Sequence, residues 1–202
     1  MRNLRPRLAR RRMIHGKSIQ LIGIGDEGKA WKLKSFGKRK PIVVKVYKKT
    51  ANPKKVRHDY IARQIAWLLF PKNFPKSYSM TIHKSRIRIA QQYREPNPEL
   101  KALQVEMIEG TPESEHTAHL IQMFAGNDNS TKRLIEIRAA GLSPDSFAAN
   151  YGFFNPSEPV VYELKRLNSK RVRSYLAKQA MPVRRRRQIL KLLEEYERME
   201  KF

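Results

Sequence analysis

A glycine-rich segment and the lysine that follows it are the residues of this chain best suited to holding phosphate. The segment is Gly23-Ile24-Gly25-Asp26-Glu27-Gly28, and Lys45 lies in Pro41-Ile42-Val43-Val44-Lys45-Val46-Tyr47. Glycine has no Cβ, so the backbone of such a segment can come close to an anion. The apolar, β-branched run around Lys45 predicts a strand that carries an amine toward the glycine turn. Together these residues predict a grip on the phosphates of a nucleotide.

The neighbouring sequence predicts the elements that position this grip. A helix is expected from Asn52-Pro53 to Phe70, because proline favours the first helical position and apolar residues then recur at helical spacing. The predicted strands of this part are Gln20 to Ile24, Ala30 to Ser35, Ile42 to Tyr47, Tyr78 to His83 and Arg86 to Gln91.

The composition changes at Glu95-Pro96-Asn97-Pro98, which predicts a hinge. We therefore expect a basic disordered arm over residues 1–14, a first lobe over 15–94, a second lobe over 95–164 and basic helices over 165–202. Expected in the second half are helices over Thr117 to Ala125 and Thr131 to Ala140, a loop over Leu142 to Asn150, a hairpin of Phe153-Phe154 with Val160 to Leu164, and two tail helices separated near Met181-Pro182.

The net charge of +25 is unevenly distributed along the chain. Residues 29–94 hold 19 Lys/Arg and one acid, residues 95–164 hold 11 acids and four Lys/Arg, and residues 165–202 hold 13 Lys/Arg and four acids. Such a charge predicts attraction to polyanions. The Arg-rich ends, with six arginines up to Met13 and the run Arg184-Arg185-Arg186-Arg187, are candidates for nucleic-acid or anionic-surface contacts, and equally for solvated faces.

The composition also excludes several classes of protein. The chain has no cysteine, which excludes disulfides and thiolate metal sites and suits a reducing, cytoplasmic compartment. No apolar run is long enough to predict a membrane span.

A second group of residues extends the pattern of the glycines and Lys45. Asp145-Ser-Phe-Ala-Ala-Asn150 has the form D-x-x-x-x-N, and Glu163 follows Asn150 by thirteen residues, after the apolar Val160-Val161-Tyr162. In this order and spacing, residues 18–165 resemble a divergent, minimal member of the protein-kinase-like superfamily, similar to small lipopolysaccharide-kinase-like and RIO-like kinases.

The resemblance implies an α+β, two-lobed protein-kinase-like fold with a small antiparallel sheet in the first lobe and a reduced, mainly helical second lobe. It also implies ATP and Mg²⁺ as cofactors and an ATP-dependent phosphotransferase with an unknown hydroxyl acceptor. Implied site residues are Gly23, Gly25, Gly28 and Lys45 at the phosphates, Asp59 as the lysine's partner, Gln92 and Tyr93 at the adenine hinge, Asp145 at the acceptor, and Asn150 and Glu163 at the metal.

The chain also departs from the family pattern. Ser143-Pro144-Asp145 stands in place of H-R-D, Glu163-Leu164-Lys165 stands in place of D-F-G, and the helix after Lys45 has no glutamate. These departures keep two other functions open, a pseudokinase or kinase-folded binding module and a basic nucleic-acid-binding protein.

Each site residue also has a structural interpretation. Lys45 can be an ordinary strand lysine, and Asp59 can face solvent. Asp145 suits a helix N-cap or a turn after Pro144. Asn150 is a common turn residue, and Glu163 can pair with Lys165 or Arg166.

Overall fold

The computed structural model describes residues 12–14, 17–24, 27–34, 41–94, 128–144, 151–153 and 159–200. Within these ranges the chain is α+β, with ten strands and four helices. It divides into two units, one formed by residues 1–56 and 77–93 and the other by residues 57–76 and 94–202.

Six of the described strands form the antiparallel sheet of the first unit, in the order β1-β2-β3-β4-β6-β5. Its strands are β1 (Arg12–Ile14), β2 (Lys17–Ile24), β3 (Gly28–Lys34), β4 (Ile42–Tyr47), β5 (Ser77–His83) and β6 (Arg86–Gln92).

The sequence predicts most of this sheet. The third predicted strand matches β4 at both ends, and the hairpin matches β5 and β6 to within one residue. Lys84 and Ser85 form its turn at positive φ, 46° and 60°, the left-handed conformation that a two-residue hairpin turn requires. Residues 12–14 differ from the prediction, because the last part of the expected disordered arm pairs with β2 as a strand.

The register of β3 and β4 sorts their side chains onto two faces. Ala30 pairs with Lys45 and Lys32 pairs with Val43, so these four residues share one face. The pairs Trp31 with Val44 and Lys29 with Val46 belong to the opposite face. The first face contains the buried apolar residues of the sheet, among them Val43, Tyr47, Ile87 and Ile89.

Helix α1 (Pro53–Leu69) begins where the sequence predicts and ends one residue before the predicted Phe70. Its start is capped by Asn52, whose Oδ1 accepts hydrogen bonds from the backbone N–H groups of Lys54 and Lys55 at 2.9 and 3.3 Å. Pro71 lies just beyond its end and cannot continue the helical hydrogen bonding.

The second unit combines short strands with helices. Its remaining elements are α2 (Asp128–Ala139), β7 (Leu142–Pro144), β8 (Tyr151–Phe153), β9 (Pro159–Val161), β10 (Leu164–Leu167), α3 (Ser169–Lys178) and α4 (Val183–Glu200). Strands β8 and β9 pair as a hairpin where one is predicted, although β8 begins at Tyr151 and β9 ends at Val161, three residues before the predicted end at Leu164. Strand β7 pairs with β10. The predicted loop over 142–150 is therefore wrong for residues 142–144, while the predicted helix over 117–125 and the hinge at 95–98 lie outside the described residues.

A buried apolar cluster stabilises the second unit. It includes Ile65 and Ala66 of α1 and Ile189, Leu193 and Tyr196 of α4, all at most 3% exposed. The apolar stripe of the last predicted helix therefore packs on the body of this unit, as the sequence predicts. Among the described helices, none is long and apolar enough to cross a membrane.

Candidate functional site

Lys45 lies in the middle of β4, on the face that carries the buried residues of the first unit. Its side chain is 16% exposed. Its neighbours across the two adjacent strands are Ala30 and Ile89. The apolar surroundings hold the stem of the lysine, so its amine has a defined position close to the turn between β2 and β3.

The amine of Lys45 forms an ion pair with Glu27, inside the glycine-rich segment. Lys45 Nζ donates a hydrogen bond to Glu27 Oε2 at 3.0 Å. The other carboxylate oxygen, Oε1, lies 3.7 Å from Lys55 Nζ. Glu27 also holds the chain locally, since its backbone carbonyl accepts from the N–H of Lys48 at 2.9 Å. The glycine-rich segment thus supplies a carboxylate partner for the strand lysine.

The two described glycines of the segment differ in the space around them. A Cβ at Gly28 would lie 2.2 Å from the carbonyl oxygen of Val46 and 2.9 Å from the Cα of Tyr47. A Cβ at Gly23 would meet only the Cβ of Ala30, at 3.9 Å. Gly28 is therefore required by the close approach of β3 to β4, whereas packing alone does not require glycine at position 23.

A second lysine, Lys32, lies on the same face as Lys45. The two are diagonal neighbours on β3 and β4, because Lys32 pairs with Val43 and Lys45 with Ala30. Lys32 is 7% exposed, and its Nζ lies 3.8 Å from the centroid of the Tyr93 ring. A cation over an aromatic face is stabilised by the ring quadrupole. This face of the sheet therefore carries two largely buried amines, which raise its positive potential.

The predicted hinge residues lie at the end of β6. Gln92 pairs with Ile42 of β4, and the backbone N–H of Tyr93 donates to the carbonyl of Pro41 at 3.3 Å. That N–H is therefore occupied within the sheet. Arg94 follows and donates to the backbone carbonyls of Pro71, Lys72 and Phe74 in the second unit.

Asp59 and Glu163 belong to the second unit. Asp59 lies on α1, and its role as a partner of Lys45 stays a prediction. Glu163 lies between β9 and β10, with its carboxylate 3.6 Å from the guanidinium of Arg63. Arg63 is itself buried, at 7% exposure. As an ion-pair residue, Glu163 is expected to pair with Lys165 or Arg166. In the structure it faces Arg63, a residue of α1 that is distant in sequence.

Three of the predicted site residues, Gly25, Asp145 and Asn150, lie outside the described residues. Their roles at the phosphates, the acceptor and the metal stay predictions. In the part of the chain that the structure describes, no group of three or more His, Asp or Glu side chains could hold a metal ion.

The comparisons with known proteins find likeness among solved structures. No protein-family model matches the sequence, and no curated protein matches it. The crystal structure of the Mycobacterium tuberculosis PknI kinase domain is similar, with a TM-score of 0.45 and 15% sequence identity. The match covers 77% of this chain and 62% of that kinase domain, so the chain spans less than two thirds of its length. A likeness of this extent carries no argument for fold or activity.

Sequence reasoning missed Glu27 and Lys32. Glu27 was visible as an acid between two glycines, but its pairing with Lys45 depends on how β2, β3 and β4 align. Lys32 has a signal in the sequence, since Gly28, Ala30 and Lys32 alternate and must share one face of a strand.

Proposed function

We propose that this protein binds a nucleotide, with ATP and Mg²⁺ as its cofactors, through the glycine-rich segment and Lys45. One observation carries the proposal: a largely buried lysine in mid-strand has its amine 3.0 Å from a carboxylate within a glycine-rich turn. A lysine in an apolar setting binds phosphate more strongly than an exposed one, because less water screens the charge. The lysine and turn are the two parts that kinase-like proteins use to hold the phosphates.

The proposed activity is phosphoryl transfer from ATP to a hydroxyl of an unidentified acceptor. Lys45 draws the phosphates, and the backbone of the glycine segment covers them. Asp145 orients the acceptor hydroxyl, while Asn150 and Glu163 provide oxygen ligands to Mg²⁺ when it is bound. The roles of Asp145, Asn150 and Glu163 come from the sequence resemblance, and a cytoplasmic location is part of the same proposal.

A binding module without turnover is a second candidate, and one contact favours it. Glu163 already faces the buried guanidinium of Arg63 at 3.6 Å. A carboxylate beside a guanidinium has part of its charge neutralised, so it attracts a metal cation less strongly. Glu163 then stabilises the second unit, and the protein binds a nucleotide without transferring its phosphate.

Thermal unfolding tests the nucleotide proposal. A ligand present at about 100 times its Kd stabilises the folded state by about 2.7 kcal/mol, which raises Tm by several degrees. We expect this shift for wild type with ATP and Mg²⁺ and its loss in Lys45→Ala. Inorganic triphosphate is the control for general anion binding by a basic protein, and an equal shift with it, or an equal shift in Lys45→Ala, would reject the proposal.

Phosphate release separates the two candidates. If the protein is an enzyme, wild type transfers labelled γ-phosphate to an acceptor or to water, and Asp145→Asn abolishes the transfer while ATP still raises Tm. If it is a binding module, ATP raises Tm in both proteins and neither turns it over.

A further inference from the structure

A pocket lies mainly on the face of the sheet opposite Lys45, and it shares only Ile24 and Gly28 with the glycine-rich segment of the nucleotide proposal. Trp31, Val46 and Lys29 line it, and the register places all three on the face away from Lys45. Its volume is about 420 Å³, within the range of roughly 300–1,000 Å³ of small-ligand sites. All of its lining residues belong to the first unit.

The floor of the pocket is apolar and contains an aromatic ring. Ile24 forms part of it and is 68% exposed, and its neighbour Ile22 is 41% exposed. Trp31 and Val46 are half-buried in the same face. Exposed apolar surface on a sheet face costs free energy in water, so it commonly marks a binding site. An accessible indole ring on such a face is a platform on which a planar group can stack.

The pocket is also lined by four exposed cationic side chains, which we call its rim: Lys29, Lys48, Lys49 and Arg86. The nine lining residues include no acid. Among the described side chains, none forms a salt bridge with any of the four. The unit as a whole carries 21 Lys/Arg and only two acids, Asp26 and Glu27. The pocket therefore combines an aromatic, apolar floor with a strongly positive rim.

We propose that this pocket binds single-stranded nucleic acid, with one unpaired base stacked on Trp31 and the flanking phosphates held by the cationic rim. Proteins that bind single strands combine these two features, a positive groove along the backbone and aromatic rings under the bases. The ring supplies stacking with any base, and the lysines and the arginine supply charge without reading sequence.

Other occupants fit the surface less well. An extended acidic peptide gains its affinity by adding a strand to a sheet edge, whereas this pocket lies on a face whose central strands already pair on both sides. A duplex matches the charge of the rim, but its bases are stacked on each other and cannot reach Trp31. The combination of charge and aromatic floor therefore favours an unpaired strand.

Tryptophan fluorescence provides a direct test in the chain of 202 residues. The protein has two tryptophans, Trp31 and Trp67, and Trp67→Phe leaves only Trp31 to report. We expect a thymidine oligonucleotide of about twelve residues to quench this emission, since a stacked base quenches indole. An abasic oligonucleotide of the same length carries the same phosphates without bases. It should bind about tenfold more weakly and leave the emission unchanged.

Substitutions locate the site. Trp31→Leu keeps an apolar side chain in the sheet and removes the ring, and it should lower affinity for the thymidine strand about tenfold, with little effect on the abasic strand. The double variant with Lys29→Ala and Lys49→Ala should reduce the slope of log binding constant against log salt concentration by about 1.4. Each phosphate contact on a single strand contributes about 0.7 to this slope. The matched control, Lys132→Ala with Lys191→Ala, removes two exposed lysines from helices of the second unit and should change the slope much less.

Three results would overturn the proposal. The first is equal affinity for the thymidine and abasic strands. The second is the same affinity for thymidine in Trp31→Leu as in wild type, in a protein whose circular dichroism shows it folded. The third is that an acidic, leucine-containing peptide binds more tightly than the oligonucleotide and that only the peptide quenches Trp31 emission. This result would assign the pocket to a protein partner.

Discussion

At the scale of single residues, the glycine-rich segment contains a countercharge for the strand lysine. Kinase-like proteins orient this lysine with a carboxylate from a helix. Here Glu27, from the turn itself, lies 3.0 Å from the amine of Lys45. A nucleotide phosphate near Lys45 would compete with that carboxylate, so the turn and the ligand are electrostatically coupled.

Removing the charge of Glu27 is expected to strengthen nucleotide binding. In Glu27→Gln the phosphates no longer repel a neighbouring carboxylate, and removing about 1 kcal/mol of repulsion raises affinity about fivefold. Stability should change by less than about 1 kcal/mol, because Glu27 is 41% exposed and surface ion pairs contribute little. Titration of ATP with Mg²⁺ measures the affinity.

Lys55→Gln is the matched control for Glu27→Gln. It removes the second cation near Glu27, whose amine lies 3.7 Å away, and leaves Lys45 in place. Affinity should fall slightly or stay constant. Weaker ATP binding in Glu27→Gln would contradict the competition and assign Glu27 the role of orienting Lys45.

Two glycines of the segment are expected to respond differently to alanine. Gly28→Ala places a Cβ 2.2 Å from the carbonyl oxygen of Val46, so the strands must separate, at a cost of about 1–3 kcal/mol. Gly23→Ala has room and should change stability by less than about 0.5 kcal/mol. Urea unfolding followed by Trp31 fluorescence in the Trp67→Phe background reports on the first unit. Equal stability of the two variants would contradict the close approach of β3 and β4.

At the scale of elements, local sequence patterns predict the sheet and α1, and long-range pairing accounts for what they miss. The bounds of β4 follow from a continuous β-branched run, and the start of α1 follows from Asn52-Pro53. Strand β7 has only three residues and ends in proline, so no local pattern marks it. It is a strand because it pairs with β10, twenty or more residues further along the chain. The partner of Lys45 was missed for the same reason.

Gly141 links two elements of the second unit, and its replacement is expected to destabilise that unit. It has φ of +88° after α2, and a Cβ there would lie 2.7 Å from both the Cβ of Arg171 and the carbonyl oxygen of Asn168. Gly141→Ala should cost about 1–3 kcal/mol, measured by urea unfolding with Trp67 as the reporter in Trp31→Phe. Gly141→Asn tolerates positive φ but adds the same Cβ, so it should cost nearly as much. Full stability of Gly141→Asn would show that backbone conformation alone, and not crowding, requires glycine.

The hydroxyl of Tyr196 makes the second unit sensitive to high pH. Burial, with Glu200 nearby, raises the pKa of Tyr196 from its ordinary value of 10.0 to about 12. The folded state therefore favours the neutral phenol, and the stability that this contributes is intact below pH 10. It is lost as pH rises toward 12, by about 1.4 kcal/mol per unit, because unfolding lets the tyrosine ionise.

Tyr196→Phe removes this titration. At pH 8 the variant loses only a weak hydrogen bond, which the hydroxyl donates to the carbonyl of Leu167 at 3.4 Å. Between pH 10 and 11 its urea midpoint should fall less than that of wild type. A parallel decline of both proteins would show that Tyr196 ionises as easily in the folded state as in the unfolded one.

At the scale of the whole molecule, the charge pattern of the sequence anticipates the first unit. Nearly all charged residues of this unit are basic. They lie on both faces of one sheet, with Lys45 and Lys32 on one face and the cationic rim near Trp31 on the other. The sequence predicts the basic character, but not this division, because the division depends on strand register. The two faces define the two proposed sites, one for a nucleotide and one for an unpaired strand.

Titration of ATP with Mg²⁺ into wild type, Lys45→Met and Lys84→Met tests the central claim most directly. Lys84 lies exposed in the turn between β5 and β6 of the same unit, so its replacement matches the change in charge. We expect Lys45→Met to weaken binding at least about tenfold, and Lys84→Met to bind like wild type, since a buried, positioned charge contributes more than an exposed one. Equal affinity of Lys45→Met and wild type would contradict the claim that this lysine and the glycine-rich turn form a nucleotide site.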